Sequence, residues 1–159
     1  ILAVSIIALN LTIPSIKVFA QDYYAEMVAV DFKESLECLA DNVYWEAGSE
    51  SFEGKLAVAQ VTMNRVASGK FRGSVCDVVK QKIDGICQFS WMCDEARKTI
   101  LSHTPHYIEI RQIAIDTYMN YENMNDITYG ATYFHSNSIN PKWKLQKTII
   151  IGNHTFYKK

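Results

Sequence analysis

The spacing of the apolar residues changes once along the chain, and this change constrains the fold more than any other feature. Between residues 32 and 118, apolar side chains recur every three or four positions, which is typical of amphipathic helices. After Gly130, the segments "TYGATYFHS" and "QKTIIIGNHTFYKK" are short and rich in aromatic and β-branched residues, and Gly152-Asn153 suits a hairpin turn. We predict a single α+β domain, mainly helical, with a small C-terminal antiparallel β-sheet.

Residues that cap helices precede three of the periodic segments, and Pro105 separates the last two. The predicted helices are residues 32–47 after Asp31, 52–68 after Ser51, 75–81 after Ser74, 95–102, and 106–123. Gly69 supplies a left-handed stop for the second helix. The side of that helix predicted to face the core consists of Phe52, Leu56, Ala59, Met63 and Val66.

An ionisable side chain ends the apolar stripe of the first predicted helix. The stripe comprises Phe32, Leu36, Leu39 and Val43. The next position on the same face is Glu46. Burial disfavours the charged form of a carboxylate and raises its pKa, as a general acid at neutral pH requires. Neighbouring Tyr44, Trp45 and Phe52 would form the apolar side of such a pocket. In the alternative, the helix ends before Glu46, which then points to water. Glu50 follows Gly48 and Ser49 and is predicted to be a supporting residue, a loop or capping carboxylate.

The N-terminal segment differs in composition from the rest of the chain. Residues 1–20 contain an apolar run and end in "VFA" before polar residues, which is typical of a secretion signal; an uncleaved anchor is the alternative. Residues 21–30 are expected to form a flexible leader. We therefore expect an exported protein, periplasmic or extracellular, whose N-terminal segment can contact the membrane transiently.

Four cysteines in an exported chain suggest two disulfide bonds, for which three pairings exist. Cys87 and Cys93 flank "QFSWM" and are favoured as a local clip, which leaves Cys38 to pair with Cys76. A zinc site is the alternative, although the chain has no C-x-x-C pair. We expect no metal and no cofactor.

The charge balance excludes one class of partner. The formal net charge is −1, and the sequence has no clustered basic surface of the kind that nucleic acid requires. We therefore expect no nucleic-acid binding, and a monomer.

Seven segments taken in order resemble the SleB-like cell-wall hydrolases, which include the germination-specific lytic transglycosylase of bacterial spores. They are "ECLADNVYWEAGSE", "FEGKLAVAQVTMNRV", "SVCDVVKQ", "CQFSWMCD", "GATYFHS", "PKW" and "IGNHTFY". The resemblance implies a lysozyme-like catalytic domain over residues 31–159. It also implies cleavage of the β-1,4 bond between N-acetylmuramic acid and N-acetylglucosamine in peptidoglycan. The catalytic glutamate of the family falls on Glu46.

The chain departs from the family pattern on both sides of that glutamate. The family usually reads E-A-R-G-E, whereas Gly48 and Ser49 follow Ala47 here, and Trp45 precedes the glutamate. The strand motif T-H-Y-H is replaced by "TYFH". The missing arginine affects details of substrate binding and not the identity of the acid.

Further residues are candidates for substrate contact. Gln88, Ser90 and Trp91 would line a sugar cleft, or else form a disulfide-stabilised surface loop. Tyr133 and His135 share one face of a strand, and the resemblance implies that they face Glu46; the alternative is that they are half-buried sheet residues. Arg65 is a supporting residue, predicted to satisfy carbonyl groups or to pair with Glu50 or Glu53. Trp143 and His154 are predicted to pack, and His103 and His106 to be exposed.

A single well-placed carboxylate suits a lytic transglycosylase. The muramic 6-hydroxyl attacks within the substrate, so one glutamate serves as acid and then as base. Three alternatives are a hydrolytic muramidase, a zinc-dependent amidase or peptidase, and a non-catalytic wall-binding module. The zinc enzyme would need a ligand motif such as H-E-x-x-H, which is absent from the sequence.

Overall fold

The computed structural model describes residues 14–94, 96 and 99–159. It divides the chain into two units, Ile1–Phe32 and Lys33–Lys159. Most of the predicted secretion signal, residues 1–13, lies outside the described residues. Among the described helices, none combines the length and apolar composition that a membrane span requires.

Helix α1 spans Pro14–Ala47 and begins well before the predicted start at Phe32. The predicted leader, residues 21–30, is helical, and its described side chains are exposed. The prediction placed a cap at Asp31, which instead lies within the helix. The physical reason is that neither glycine nor proline interrupts the sequence between Pro14 and Gly48, so nothing stops the helix at Asp31.

The C-terminal half of α1 carries the predicted stripe into the core of the larger unit. Leu39 and Val43 are completely buried, and Leu36 is nearly so. Helix α1 ends at Ala47, and the Gly48 amide donates to the Tyr44 carbonyl oxygen. A side chain at position 48 would collide with that same oxygen, so glycine is required at this turn.

Helix α2, Phe52–Ala67, is the central element of the domain. The Ser51 side chain accepts from the Gly54 amide, as predicted for its N-cap, and Gly69 follows the helix with φ +63°. The predicted stripe is confirmed only in part: Ala59 and Met63 are buried, and Val66 packs against the same core cluster. Phe52 is exposed, whereas eleven residues on all sides of the helix are buried: Gly54, Lys55, Ala57, Val58, Ala59, Gln60, Val61, Thr62, Met63, Asn64 and Arg65. Helices and sheet pack around α2, so its burial has no single direction.

Buried polar side chains of α2 hold the chain segment that precedes the sheet. Asn64 Nδ2 donates to Asp126 Oδ2 at 3.0 Å and to the Ala131 carbonyl oxygen at 2.9 Å. Its Oδ1 accepts from the Tyr121 hydroxyl at 2.7 Å. Gln60 Nε2 donates to the Asn125 carbonyl oxygen at 2.8 Å, and Gln60 Oε1 accepts from the Ile127 amide at 3.0 Å. These bonds fix where the following strand begins.

Shorter elements surround α2. Helix α3, Val75–Val79, starts at the predicted Ser74 cap, and a short hairpin follows, formed by β1, Lys82–Ile83, and β2, Ile86–Cys87. A 3₁₀ turn covers Ser90–Cys93, and helix α4 covers Pro105–Asn120. The helix predicted at 95–102 lies partly outside the described residues, and residues 99–102 are not helical.

Both disulfide bonds follow the favoured pairing. Cys38 of α1 is bonded to Cys76 of α3, and Cys87 is bonded to Cys93 across the 3₁₀ turn. The first bond joins two helices that are far apart in sequence. The second fixes the loop that follows β2.

The C-terminal residues form the predicted antiparallel sheet. Its strands are β3, Tyr133–Ser136, β4, Gln146–Ile151, and β5, His154–Lys158, in the order β3-β5-β4. Phe156 of β5 is fully buried and packs with Ala57 and Val61 of α2. This contact holds the sheet against α2.

Candidate active site

A cleft of about 540 Å³ lies where α1, α2, the sheet and the loop closed by the Cys87–Cys93 disulfide bond meet. We name this loop, residues 87–93, the clipped loop. Its lining contains two acids, one arginine and many aromatic side chains. The lining residues are Glu46, Glu50, Arg65, Gln88, Phe89, Ser90, Tyr133, Phe134, His135, Ser136, Ile139, Trp143, Asn153 and His154. The volume lies in the range of small-molecule sites in proteins.

Glu46 lies in this cleft at the end of the α1 stripe. Its side chain is half-buried, whereas Val43, one turn earlier, has no exposed surface. The alternative in which α1 ends before Glu46 is excluded, because the helix continues to Ala47. The apolar wall comes from Phe89, Phe134 and Trp143 rather than from the predicted Tyr44, Trp45 and Phe52.

Arg65 provides a buried positive charge in the cleft. The side chain is 5% exposed, and its Nε donates to the Thr132 carbonyl oxygen at 2.7 Å. The guanidinium carbon lies 4.7 Å from the ring centroid of Phe89 and 5.2 Å from that of Phe71. Nη1 is buried and has no hydrogen-bond partner in the described part of the chain. The carbonyl contact was predicted.

The charge on Arg65 is coupled to that on Glu46. Burial lowers the pKa of Arg65 to about 10, while the neighbouring Tyr133 and Glu46 act in the opposite direction. Arg65 is therefore a cation at neutral pH. The predicted alternatives paired it with Glu50 or Glu53, but the carboxylate that acts on the pKa of Arg65 is that of Glu46.

Glu50 joins two turns of the chain. Its Oε2 accepts from the Asn153 backbone amide at 3.0 Å, and its Oε1 accepts from Asn153 Nδ2 at 2.9 Å. Burial acts to raise the pKa of Glu50, but the bonds from Asn153 and the nearby His154 lower it overall. Glu50 thus holds the β4–β5 turn against the turn between α1 and α2.

The sheet contributes an ordered aromatic wall. His135 Nδ1 donates to the Ser136 carbonyl oxygen at 2.8 Å, because a carbonyl oxygen can only accept, and His135 Nε2 forms a hydrogen bond with the Tyr157 hydroxyl at 2.9 Å. Trp143 packs edge-on against both rings, and its centroid lies 6.2 Å from that of Tyr133. Tyr133 and His135 lie in the cleft together with Glu46.

Of the three candidate residues in the clipped loop, two line the cleft and one does not. Gln88 and Ser90 line the cleft. Trp91 is not among the lining residues; it stacks on Trp45 with centroids 6.2 Å apart, and its Nε1 donates to Asn42 Oδ1 at 2.9 Å. Trp91 therefore ties the loop to α1.

Several lining residues were missed or assigned to packing alone. Trp143 and His154 both reach the cleft, as do Phe89, Ile139 and Asn153. For Asn153 and His154, the sequence did contain a signal, the predicted hairpin turn Gly152-Asn153. Residues beside such a turn lie together at one end of the sheet. Nothing in local sequence indicated that this end meets Glu50.

The described residues offer one grouping with metal-ligand geometry, Glu34 with Cys38 and Cys76. Both cysteines form a disulfide bond with each other, so their sulfur atoms are not thiolate ligands. The residues present do not fit a zinc site there.

Comparisons with known proteins agree with this architecture. The chain resembles the catalytic domain of the germination-specific lytic transglycosylase SleB from Bacillus anthracis, with 27% identity and a TM-score of 0.59 over 78% of this chain and 93% of that one. The catalytic domain of the Bacillus cereus SleB protein is 25% identical, with a TM-score of 0.59 over 79% and 91% of the two chains. No curated protein matches the chain.

The sequence profile of the cell wall hydrolase family matches residues 49–157, more than half of the chain. The match covers α2, the clipped loop and the whole sheet, and it begins just after Glu46. The chain therefore belongs to the cell wall hydrolase family.

Proposed function

We propose that the protein cleaves the β-1,4 bond between N-acetylmuramic acid and N-acetylglucosamine in peptidoglycan, as a lytic transglycosylase with Glu46 as its single acid and base. The observation that carries this proposal is the position of Glu46, which lies half-buried in the cleft at the end of an apolar stripe. Glu50, the other acid that lines the cleft, is held by two hydrogen bonds from Asn153.

The reaction needs one proton, which leaves Glu46 and returns to it. Protonated Glu46 donates to the glycosidic oxygen, and the bond between that oxygen and C1 of the muramic residue breaks. The 6-hydroxyl oxygen of the same muramic residue then bonds to C1, and its proton passes to the Glu46 carboxylate. The products are a 1,6-anhydro-muramic end and a free 4-hydroxyl, and no water is consumed.

The remaining lining residues support these two steps. Arg65 stabilises the Glu46 carboxylate that exists between proton donation and proton return. Tyr133 and Trp143 present ring faces and edges that suit the apolar faces of sugars. Gln88 and Ser90 supply polar groups for sugar hydroxyls.

A hydrolytic muramidase is the second candidate, since water in the cleft could replace the 6-hydroxyl. Many hydrolases use a second carboxylate, and the one present here, Glu50, is occupied with Asn153. This favours the lytic route.

Mass spectrometry of muropeptides released by the purified full chain tests the proposal. The lytic route predicts muramic ends that are lighter by one water than reducing ends. Reducing ends alone would establish hydrolysis, and release that depends on added zinc would establish a peptidase or amidase. Sacculi that bind the protein without releasing fragments would identify a binding module.

The site of action proposed from this substrate is the cell wall, outside the cytoplasmic membrane. The secretion signal at residues 1–20, the catalytic domain at residues 31–159 and the monomeric state stay predictions. A cleavage site after Ala20, read by N-terminal sequencing of exported protein, tests the first.

A further inference from the structure

Two further depressions share lining residues with the cleft. The first, of about 550 Å³, is lined by Gln88, Tyr133, Lys142, Trp143, Lys144, Leu145 and Lys159. The second, of about 180 Å³, is lined by Ser68, Lys70, Phe71, Gly130, Thr132, Tyr133, Lys158 and Lys159. We name the two together the side channel.

The side channel shares wall residues with the cleft. Gln88, Tyr133 and Trp143 line both the cleft and the first depression, and Tyr133 also lines the second. A molecule that occupies the side channel is therefore in reach of a glycan in the cleft. Trp143, which is held by Tyr133, His135 and Tyr157, forms the boundary between the two.

The side channel is strongly basic in a protein with little net charge. Five lysines line it: Lys70, Lys142, Lys144, Lys158 and Lys159. None of the described residues that line either depression is acidic. The formal net charge of the chain is −1, so these lysines are a local concentration of positive charge.

We propose that the side channel binds the carboxylates of the peptide stem carried by the muramic residue. This inference rests on the proposed function. Cleavage occurs at the muramic residue, so the stem branches from the glycan close to Glu46 and must leave the cleft sideways. The stem carries free carboxylates, and exposed lysines attract them through solvent-screened ion pairs.

The consequence is substrate selection. Strands that carry stems are cleaved better than strands from which an amidase has removed them. Each exposed ion pair contributes little, so loss of two lysines reduces the preference by ~3- to 10-fold. Higher ionic strength reduces it in the same way.

The first experiment compares kcat/KM on stem-bearing and amidase-treated glycan strands. Wild-type protein should prefer the stem-bearing strands, and Lys142→Gln/Lys144→Gln should lose most of that ratio. The matched control is Lys33→Gln/Lys80→Gln, which removes the same charge from exposed lysines that do not line the cleft or the side channel. A wild-type ratio of one, or equal ratios in the two double variants, would overturn the proposal.

The second experiment does not depend on catalysis. A free stem tripeptide is titrated into full-length Glu46→Gln, with the Trp143 indole followed by NMR. We expect binding that weakens in Lys142→Gln/Lys144→Gln and when the peptide carboxylates are amidated. The proposal would be overturned if the Lys142→Gln/Lys144→Gln protein, or the amidated peptide, bound as tightly as the wild-type protein and the free peptide. It would also be overturned if inorganic phosphate at matched ionic strength competed for the side channel as well as the tripeptide does.

The two experiments separate the two proposals. If wild-type protein cleaves neither strand, the proposed function fails, and the titration alone decides the side channel. If it cleaves both strands equally and the tripeptide does not bind, the side channel fails while the proposed function stands.

Discussion

Glu50 accepts two hydrogen bonds from Asn153, one from its backbone amide and one from its side chain. This pair joins the turn after α1 to the turn between β4 and β5, which are 103 residues apart in sequence. It fixes the sheet end of the cleft relative to Glu46. It also holds the Glu50 carboxylate at the β4–β5 turn, whereas Glu46 lies at the end of the apolar stripe of α1.

Glu50→Gln should therefore affect stability more than chemistry. The amide oxygen can still accept from the Asn153 backbone, whereas one charge-assisted bond is lost, so we expect a loss of ~1–2 kcal/mol in the free energy of unfolding. Urea denaturation measures it. Cleavage should stay within ~10-fold of wild type; a loss as large as that of a general acid, ~10²-fold or more, would make Glu50 a second catalytic carboxylate.

Gly152→Ala should be costly because of the same pair. Gly152 has φ +55°, and an added Cβ would push the Glu50 carboxylate away, so that its hydrogen bonds with Asn153 are lost. Gly69 offers a matched control, since its φ is +63° but nothing lies within 4 Å of an added Cβ. We expect Gly69→Ala to cost ~1 kcal/mol for the backbone alone, and Gly152→Ala to cost at least ~1 kcal/mol more. Equal thermal stability of the two variants would show that the Glu50 contact is not tight.

Stability should fall in acid, in part through His154. Burial lowers the pKa of His154 below its usual 6.5; Glu50 opposes this shift and His135 adds to it. The unfolded chain then binds the proton more readily, so this contribution is present above pH ~6.5 and is lost as the pH falls towards the folded pKa. Glu50, whose folded pKa is lowered, adds a further loss below pH ~4.5.

The thermal midpoint measured from pH 7 to pH 5 tests this contribution. His154→Gln should flatten the decline over that interval, because the glutamine does not titrate. If the thermal midpoint of His154→Gln declined as steeply with pH as that of wild type, protonation of His154 would not contribute to the loss of stability.

The helices and the sheet were largely predictable, because local periodicity and capping residues determine them. Ser51, Ser74 and the Gly152-Asn153 turn all act as predicted. The start of α1 could not be predicted, since an aspartate such as Asp31 can either cap a helix or lie within one. The β1–β2 hairpin was also missed, although Asp84-Gly85, with φ +51° and +80°, has the sequence typical of such a turn.

The cleft was predictable only in part, because tertiary packing decides which distant residues meet. Glu46 followed from an apolar stripe that ends in an acid, and the resemblance assigned Tyr133 and His135 to its side. The partners of Arg65 and Glu50 did not follow, since neither Phe89 nor Asn153 is near them in sequence. Trp143 lies in a segment without regular structure, where no periodicity indicates the direction of a side chain.

We expect activity to need both the positive charge and the planar guanidinium group of Arg65. Arg65→Met removes the charge near Glu46 and leaves the Thr132 carbonyl oxygen without its donor, so we expect a loss of both activity and ~1–3 kcal/mol of stability. Arg65→Lys keeps a positive charge but lacks the planar group that lies on Phe89. Its activity should fall less than that of Arg65→Met. Equal cleavage rates in the two variants would show that the charge is not used.

The most direct measurement is the rate at which Glu46→Gln releases soluble fragments from peptidoglycan sacculi, relative to wild type. Glutamine has nearly the same shape but cannot donate a carboxylic proton, so we predict a folded protein with the wild-type thermal midpoint and at least ~10²-fold slower release. Release at the wild-type rate would contradict the assignment of Glu46 as the acid and base.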